Sequence, residues 1–259
     1  MKRKIEIISL FCVVLIFWGA SSFLREQNEQ DIPVKGFHLV WRDEFNGNRL
    51  NSNRWTYRNL GKRGDSYKVR EAVRLNGKGQ LVMEVSSRGD SVFTGMIATE
   101  NLFETRFGYF ECRASLTRTA GIFPAFWLQS RFNGDNGNPE QNGVELDIFE
   151  YFPHAKKDFV AHTLHWGGYG ATHKVFGPVW GALQPSADNF HRFGLLWTPD
   201  KYETYVDGIK TYTGNSLISR VPEFMLLSVG VDKRTAGPLN VNNLPDSFVV
   251  DYVRVYKKG

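Results

Sequence analysis

The sequence predicts an all-β protein built as a sandwich of two antiparallel sheets. Short segments rich in Val, Ile, Phe, Tyr and Thr are separated by clusters of Gly, Asn, Asp and Pro, a pattern typical of strands joined by turns. No long stretch shows the 3.6-residue period of an amphipathic helix. With 259 residues, 42% of them apolar, the chain can fill the core of one such domain.

Alternation of side chains supports the strand assignment. In residues 248–256, Phe248 and Val250 share one face of the predicted strand, and Val249 and Val253 share the other. The dipeptide Asp207-Gly208 predicts a two-residue hairpin turn. The predicted strands are residues 38–45, 71–76, 80–88, 94–100, 107–117, 121–130, 143–152, 158–166, 190–198, 202–213, 222–231 and 246–257.

The N-terminus has the pattern of an export signal over residues 1–22. Residues 2–4 are basic, residues 5–18 are almost wholly apolar, and small residues follow at 19–22. The apolar run is shorter than a membrane span requires. We therefore expect an exported protein, secreted, periplasmic or at the cell surface, and a retained N-terminal anchor is the alternative.

Residues 23–36 are polar and aperiodic, which predicts a linker, and residues 37–259 are predicted to form the functional domain. Loss of the signal would lower the formal charge from +5 to +3, too little to indicate nucleic-acid binding. A pI near 9.1 is compatible with an acidic polysaccharide. Cys112 is then the sole cysteine, so we predict a buried thiol without a disulfide. We expect a monomer without nucleic-acid or membrane partners.

Three carboxylates crowd one predicted strand, as Glu145, Asp147 and Glu150. Strict alternation places Glu145 and Asp147 on one face and Phe149 beside them. Glu150 joins that face only if a β-bulge inserts one extra residue between positions 147 and 150, and bulges are common next to active sites. A solvated acidic face is the alternative, but it fits poorly because the strand contains no Lys or Arg.

Paired carboxylates at close range indicate glycoside hydrolysis. A retaining glycosidase needs two carboxyl groups about 5–5.5 Å apart, one to attack the sugar and one to donate a proton. Crowded carboxylates repel one another, which raises the pKa of at least one and produces a proton donor near neutral pH. We therefore predict that Glu145 and Glu150 converge on one sugar carbon and that Asp147 adjusts the proton affinity of one of them.

The hexapeptide Glu145–Glu150 resembles the Glu-x-Asp-x-x-Glu signature of glycoside hydrolase family 16 in its bulged form, as in laminarinases and agarases. Similarity to this family continues over most of residues 38–257, in the segments 108–111, 121–127, 162–166, 197–208 and 250–256. The resemblance implies a concanavalin-like jelly roll with a concave substrate cleft. It also implies that Glu145 is the nucleophile, Asp147 an assisting carboxylate and Glu150 the general acid/base, with no cofactor for catalysis.

Other residues are candidate substrate contacts. By the resemblance, Trp127 is a sugar platform beside the catalytic strand and His165 lies near the acid/base. Trp166 and Trp180 are further candidates, because aromatic rings stack on the apolar faces of sugars. A purely structural role is the alternative for each of these four residues.

Two further carboxylates, Glu44 and Asp251, resemble positions that bind a structural Ca²⁺ away from the cleft in some family members. Carboxylate oxygens are suitable ligands for Ca²⁺. Salt bridging at strand ends is the alternative, and the ion would have no catalytic part.

The sequence as a whole predicts a retaining endo-β-glycosidase. The motif with the segment 123–127 most resembles enzymes for β-1,3- and mixed-linkage glucans. Leu128 stands where Met is usual, and residues 230–242 also depart from the glucanase pattern. An endo-β-galactanase of the agarase, porphyranase or carrageenase type, a transglycosylase and a non-catalytic carbohydrate-binding module are the alternatives.

Overall fold

The computed structural model describes residues 32–133 and 137–259, in which Gly36–Gly259 form one compact unit. The predicted signal peptide lies outside the described residues, as does most of the predicted linker. The strands are β1 Phe37–Asp43, β2 Thr56–Tyr57, β3 Gly61–Arg63, β4 Ser66–Lys68, β5 Val73–Leu75, β6 Leu81–Arg88, β7 Ser91–Thr94, β8 Met96–Ala98, β9 Glu104–Thr105, β10 Gly108–Ser115, β11 Ile122–Gln129, β12 Glu145–Glu150, β13 Phe159–Trp166, β14 Lys174–Ala182, β15 His191–Trp197, β16 Tyr202–Val206, β17 Ile209–Gly214, β18 Glu223–Val231 and β19 Asp246–Lys258. The short α-helices are α1 Pro139–Asn142 and α2 Lys233–Ala236, and 3₁₀ turns cover Arg70–Ala72 and Val241–Asn243.

Two sheets form the sandwich, as predicted. The outer sheet has the order β17-β16-β15-β10-β19-β6-β7-β4-β3, with β1 beside β19 and β5 beside β6. The second sheet, here called the cleft sheet, has the order β14-β13-β12-β11-β18-β8-β2, with β9 beside β18. All described pairs are antiparallel except β4 with β7. The architecture is a jelly-roll β-sandwich.

The long strands agree with the sequence prediction, and the hairpin at Asp207-Gly208 joins β16 to β17. The main miss is β14, which no pattern predicted. This strand contains Gly177 and Pro178, which interrupt the alternation, and Pro cannot donate to a ladder. β14 tolerates them because it is the edge strand of the cleft sheet. Strands β2, β3, β4, β7 and β9 were also missed, since two to four residues carry too little periodicity.

Large side chains from both sheets fill the space between them. Phe149 of the cleft sheet packs against Phe193 of the outer sheet, with ring centroids 4.0 Å apart, and against Phe248 at 6.0 Å. All three rings are fully buried. Burying one such ring contributes about 1.5–3 kcal/mol, so Phe149 ties the strand that carries the acidic residues to the opposite sheet.

Cys112 lies in this core and is free, as predicted for a small buried hydrophobe. Burial raises the pKa of its thiol well above the ordinary value, so the thiol stays neutral. Within residues 32–133 and 137–259, the helices are all too short to pass through a bilayer.

Candidate active site

A one-residue bulge in β12 brings the three carboxylates to one face of the cleft sheet. Against β11, Glu150 pairs with Ala125 and Asp147 pairs with Trp127, and the register shifts between these two pairs. The pairing of β12 with β13 shifts over the same residues. The extra residue that the sequence required is therefore present, between Asp147 and Glu150.

Packing in the core explains why the bulge forms. Leu146, Ile148 and Phe149 are all buried in the central hydrophobic cluster. Two consecutive apolar residues, Ile148 and Phe149, thus enter the core, and strict alternation resumes at Glu150 on the opposite face. Without the bulge, a strand of this sequence would bury a glutamate between the sheets, which is far more costly than a local kink.

Glu145 has two polar neighbours at the cleft surface. The Gln129 amide donates to Glu145 Oε2 at 3.3 Å, and the Tyr169 hydroxyl donates to the same oxygen. The Gln129 amide also donates to the Tyr169 hydroxyl. These contacts hold one carboxylate oxygen and leave the other available to a substrate. Tyr169 lies on the loop before β14 and is 57% exposed.

Asp147 is buried between the two glutamates. Its Oδ2 lies 3.4 Å from His165 Nε2, and His165 Nδ1 lies 2.9 Å from His173 Nε2. Burial and then the charge of Glu145 raise the pKa of Asp147 well above its usual range. One ligand atom each from Glu145, Asp147 and His165 all lie within 4.8 Å of one another. The site is therefore a compact acidic cluster with a histidine at its edge.

Glu150 has the electrostatics of a proton donor. Burial raises its pKa well above the usual value, and repulsion from Asp147 and Glu145 raises it further, while His165 opposes the shift. A carboxyl group in this environment keeps its proton near neutral pH and can deliver it to an oxygen in the cleft.

The cleft in front of these residues has an empty volume of about 740 Å³. The acidic trio and Trp127 line it, with Lys68 and Arg63 at another part of the wall. Its remaining lining residues are Gly64, Met96, Phe123, Ala125, Ser228, Gly230, Val231, Asp232 and Thr235. Apolar, aromatic and polar groups together suit a sugar chain, which has both C–H faces and hydroxyls.

Comparison with known proteins places this architecture in a family. Residues 63–224 match the profile of glycosyl hydrolases family 16. The chain belongs to glycosyl hydrolases family 16. The catalytic domain of an endo-1,3-beta-glucanase (laminarinase) from Thermotoga petrophila RKU-1 superposes with a TM-score of 0.72 and 26% identity, covering 87% of this chain and 99% of that one.

Two curated relatives of this family-16 chain differ in activity. Glucan endo-1,3-beta-glucosidase A1 of Niallia circulans is 24% identical over 88% of this chain, and the match spans 39% of that protein. Keratan-sulfate endo-1,4-beta-galactosidase of Sphingobacterium multivorum is 25% identical over 89% of this chain, and the match spans 57% of that protein. The chain thus corresponds to between about two fifths and three fifths of these relatives.

The aromatic predictions have mixed outcomes in this family-16 fold. Trp127 lies on the cleft face, 7% exposed, and its indole N–H donates to Ser228 Oγ at 3.1 Å. Trp180 also lies on that face, because it pairs with Ala161, the partner of Glu150. The prediction for Trp166 is wrong. His165 pairs with Glu145 on the cleft face, so alternation turns Trp166 to the other side, where it packs against the core.

The predicted calcium ligands do not fit an ion site. Glu44 accepts two hydrogen bonds from the Arg254 guanidinium, at 2.9 and 3.0 Å. Asp251 forms an ion pair with Arg113 at 2.8 Å. Each carboxylate is thus occupied by a different arginine, whose positive charge would repel a divalent cation. The alternative stated from sequence, salt bridging, describes both residues, although Asp251 lies within β19 and not at its end.

Several residues at the site were missed by sequence reasoning. Gln129 shares the face of Trp127 by alternation along β11, so its position beside Glu145 was open to prediction. The contact of Tyr169 with Glu145 depends on how the loop before β14 folds back, which no local sequence pattern encodes. No sequence pattern indicated that Arg63 and Lys68 belong to the site, because they lie on short strands far from the acidic motif in sequence.

Proposed function

We propose that this protein is a retaining endo-glycosidase that hydrolyses a β-linked polysaccharide, with a β-1,3- or mixed-linkage glucan as the leading substrate. The observation that carries the proposal is the bulge that aligns Glu145, Asp147 and Glu150 on the cleft face. The glucanase names of the Niallia and Thermotoga relatives support the choice of glucan.

In the proposed mechanism, a Glu145 oxygen attacks the anomeric carbon while Glu150 protonates the departing glycosidic oxygen. A covalent glycosyl ester with Glu145 results, and the carboxylate left on Glu150 then takes a proton from water. That water releases the sugar with its configuration retained. Asp147, between the two, repels negative charge and so keeps the proton on Glu150 until it is needed.

An endo-β-galactanase is the second candidate. The match to a keratan-sulfate endo-1,4-beta-galactosidase over 89% of this chain favours it, as do the departures from the glucanase pattern at Leu128 and residues 230–242. A non-catalytic sugar-binding module is disfavoured, because binding alone has no need for three mutually repelling carboxylates in a buried cluster. The predicted signal peptide supports an exported enzyme.

Digestion of laminarin, lichenan, agarose and porphyran tests the proposal. We expect at least one of them to yield intermediate oligosaccharides early in the reaction, resolved by size-exclusion chromatography. Release of monosaccharide alone would contradict endo-cleavage. Binding without any cleavage would indicate a binding module, and products longer than the input would indicate transglycosylation.

Tyr169→Phe is expected to lower kcat/KM roughly tenfold or more, because the variant loses a hydrogen bond to a charged carboxylate, worth about 1.5–3 kcal/mol. The measurement is initial rate on the best substrate of the panel. Tyr212→Phe is the matched control, since it removes a hydroxyl from β17 of the outer sheet. Equal rates for the two variants would show that the Tyr169 hydroxyl does not position Glu145.

Asp147→Asn is expected to move the alkaline limb of the pH–activity profile to lower pH. The acid form of Glu150 is active, so activity falls as pH rises through its pKa. Burial and then the negative charge of Asp147 raise that pKa, and the variant removes the second effect. Asp232→Asn, at another carboxylate of the same cleft, is the control and should leave the limb in place. An alkaline limb at the same pH in Asp147→Asn and in the wild type would contradict the coupling between Asp147 and Glu150.

A further inference from the structure

Lys68 is a buried cation in the wall of the catalytic cleft. It lies on β4, is 2% exposed and lines the same cleft as the acidic trio. Its ammonium donates to Thr94 Oγ1 at 2.8 Å and to the carbonyl oxygen of Val229. An ammonium has three N–H donors, so one N–H remains available after the hydrogen bonds to these two neutral acceptors.

The positive charge of Lys68 is not neutralised by the described part of the protein. Among residues 32–133 and 137–259, no carboxylate forms an ion pair with it, and its two hydrogen-bond acceptors are uncharged. Burial, and then the nearby positive charge of Arg63, lower the pKa of Lys68 from 10.5 to about 7. A buried charge without a counter-ion is costly, and such groups concentrate at functional sites.

The hairpin that carries both cations is held firmly against β18. The Asp65 N–H donates to the carbonyl oxygen of Val231 at 2.8 Å, and the Asp65 carboxylate accepts the Lys233 N–H at 2.8 Å. Gly64 at the tip has φ +60° and lies so close to Val231 that a Cβ would be 2.7 Å from its carbonyl oxygen. The two cations are therefore presented by a preformed wall.

The position of Lys68 suits a sugar that neighbours the one under attack. Lys68 contacts Val229 of β18, and β11 separates β18 from the catalytic strand β12. Two strand spacings correspond to about 10 Å. Along the strands, Val229 pairs with Pro124, the residue next to the Ala125 that faces Glu150. A chain lying across the cleft would thus pass Lys68 close to the acid/base.

The other charged residues that line the cleft do not form an ion pair with Lys68. Asp232 lines the cleft but already accepts from the Arg234 N–H at 2.9 Å, and its other oxygen lies 3.3 Å from the Arg234 guanidinium. The acidic trio lies on β12, beyond β11.

We propose that Lys68 and Arg63 form an anion subsite that binds a sulfate ester or carboxylate on the sugar adjacent to the cleaved bond. This inference rests on the proposed function and predicts, for a glucan or a galactan backbone alike, a preference for chains with anionic substituents.

Anion binding at this subsite has a measurable signature. A bound sulfate or carboxylate favours the charged form of Lys68, so binding above pH 7 draws a proton from the buffer. A neutral glucan or galactan causes no such uptake. Hydrogen bonds to a charged partner also strengthen binding, by roughly tenfold or more.

The experiment uses laminarin and agarose oligosaccharides, each unmodified, lightly sulfated and lightly carboxymethylated. Binding to the inactive Glu145→Gln protein is measured by calorimetry at pH 8 in HEPES and in Tris, whose ionisation enthalpies differ. We expect a substituted ligand to bind roughly tenfold tighter than its unmodified parent, with proton uptake. The sulfated and carboxymethylated arms distinguish the two anions. In the active enzyme, kcat/KM should show the same preference.

Lys68→Met should abolish both the preference and the proton uptake while leaving the neutral ligand bound. Arg63→Met, at an exposed residue, should reduce the preference without risk to the fold, and Lys62→Met on the same hairpin is the matched control. Equal binding of modified and unmodified ligands, or an equal loss for all ligands in both variants, overturns the inference. If neutral chains are cut without any preference, only the inference fails. If no chain is bound or cut, the proposed function fails and the inference with it.

Discussion

Replacing Glu145 with alanine is expected to lower kcat/KM by roughly 10⁴-fold or more on the polysaccharide that the wild-type enzyme cuts. The variant has no carboxylate to form the glycosyl ester. Asp147 cannot replace it, because its side chain is one methylene shorter and only 4% exposed, so its carboxylate does not reach the position of the lost one. Release of reducing ends measures the loss. Glu84→Ala on β6 of the outer sheet is the control and should retain full activity.

Rescue by azide tests the role assigned to Glu145 apart from any effect on folding. In Glu145→Ala, azide can occupy the space of the lost carboxylate and attack an activated aryl β-glycoside from that side. The product would be the glycosyl azide of inverted configuration, identified by NMR. An azide product of retained configuration would mean that Glu145 is not the nucleophile and would remove the basis of the proposed mechanism.

Replacing Glu150 with glutamine is expected to lower kcat/KM on the polysaccharide by about 10²–10⁴-fold. The amide has no acidic proton, so the glycosidic oxygen would leave as an unprotonated alkoxide. Glutamine matches glutamate in size, and the Glu150 carboxyl is neutral at working pH, since burial and then repulsion by Asp147 and Glu145 raise its pKa. The fold should therefore be unchanged, which thermal melting checks.

Leaving-group dependence separates this role from general damage. An aryl glycoside with a highly acidic phenol needs no proton from the enzyme, so Glu150→Gln should form its glycosyl ester at nearly the wild-type rate. A burst of phenol followed by slow turnover is the expected trace, because the second step also lacks its base. In Glu150→Ala, azide should accelerate that step and give the azide of retained configuration. Equal losses on both substrates would contradict the assignment of Glu150 as acid/base.

Most of the fold could be predicted from local sequence patterns. Strands such as β10, β15 and β19 were predictable because burial of one face imposes a period of two on seven or more residues. The bulge was also predictable, since Glu150 can face the cleft only if one residue is added after Asp147. Strand β14 was not predicted, because Gly177 and Pro178 break that period. The sheet tolerates them because β14 lies at its edge, and this position exists only in the assembled sheet.

The sequence by itself determined the two-sheet architecture, the acidic trio and the strand that presents it, because each depends on residues close together in the chain. Tertiary structure alone decided which groups meet that trio. It turned Trp166 into the core, paired Glu44 and Asp251 with separate arginines, and set Lys68 in the cleft wall. These contacts join residues far apart in sequence, and their energies depend on burial and on distant charges, neither of which a local pattern encodes.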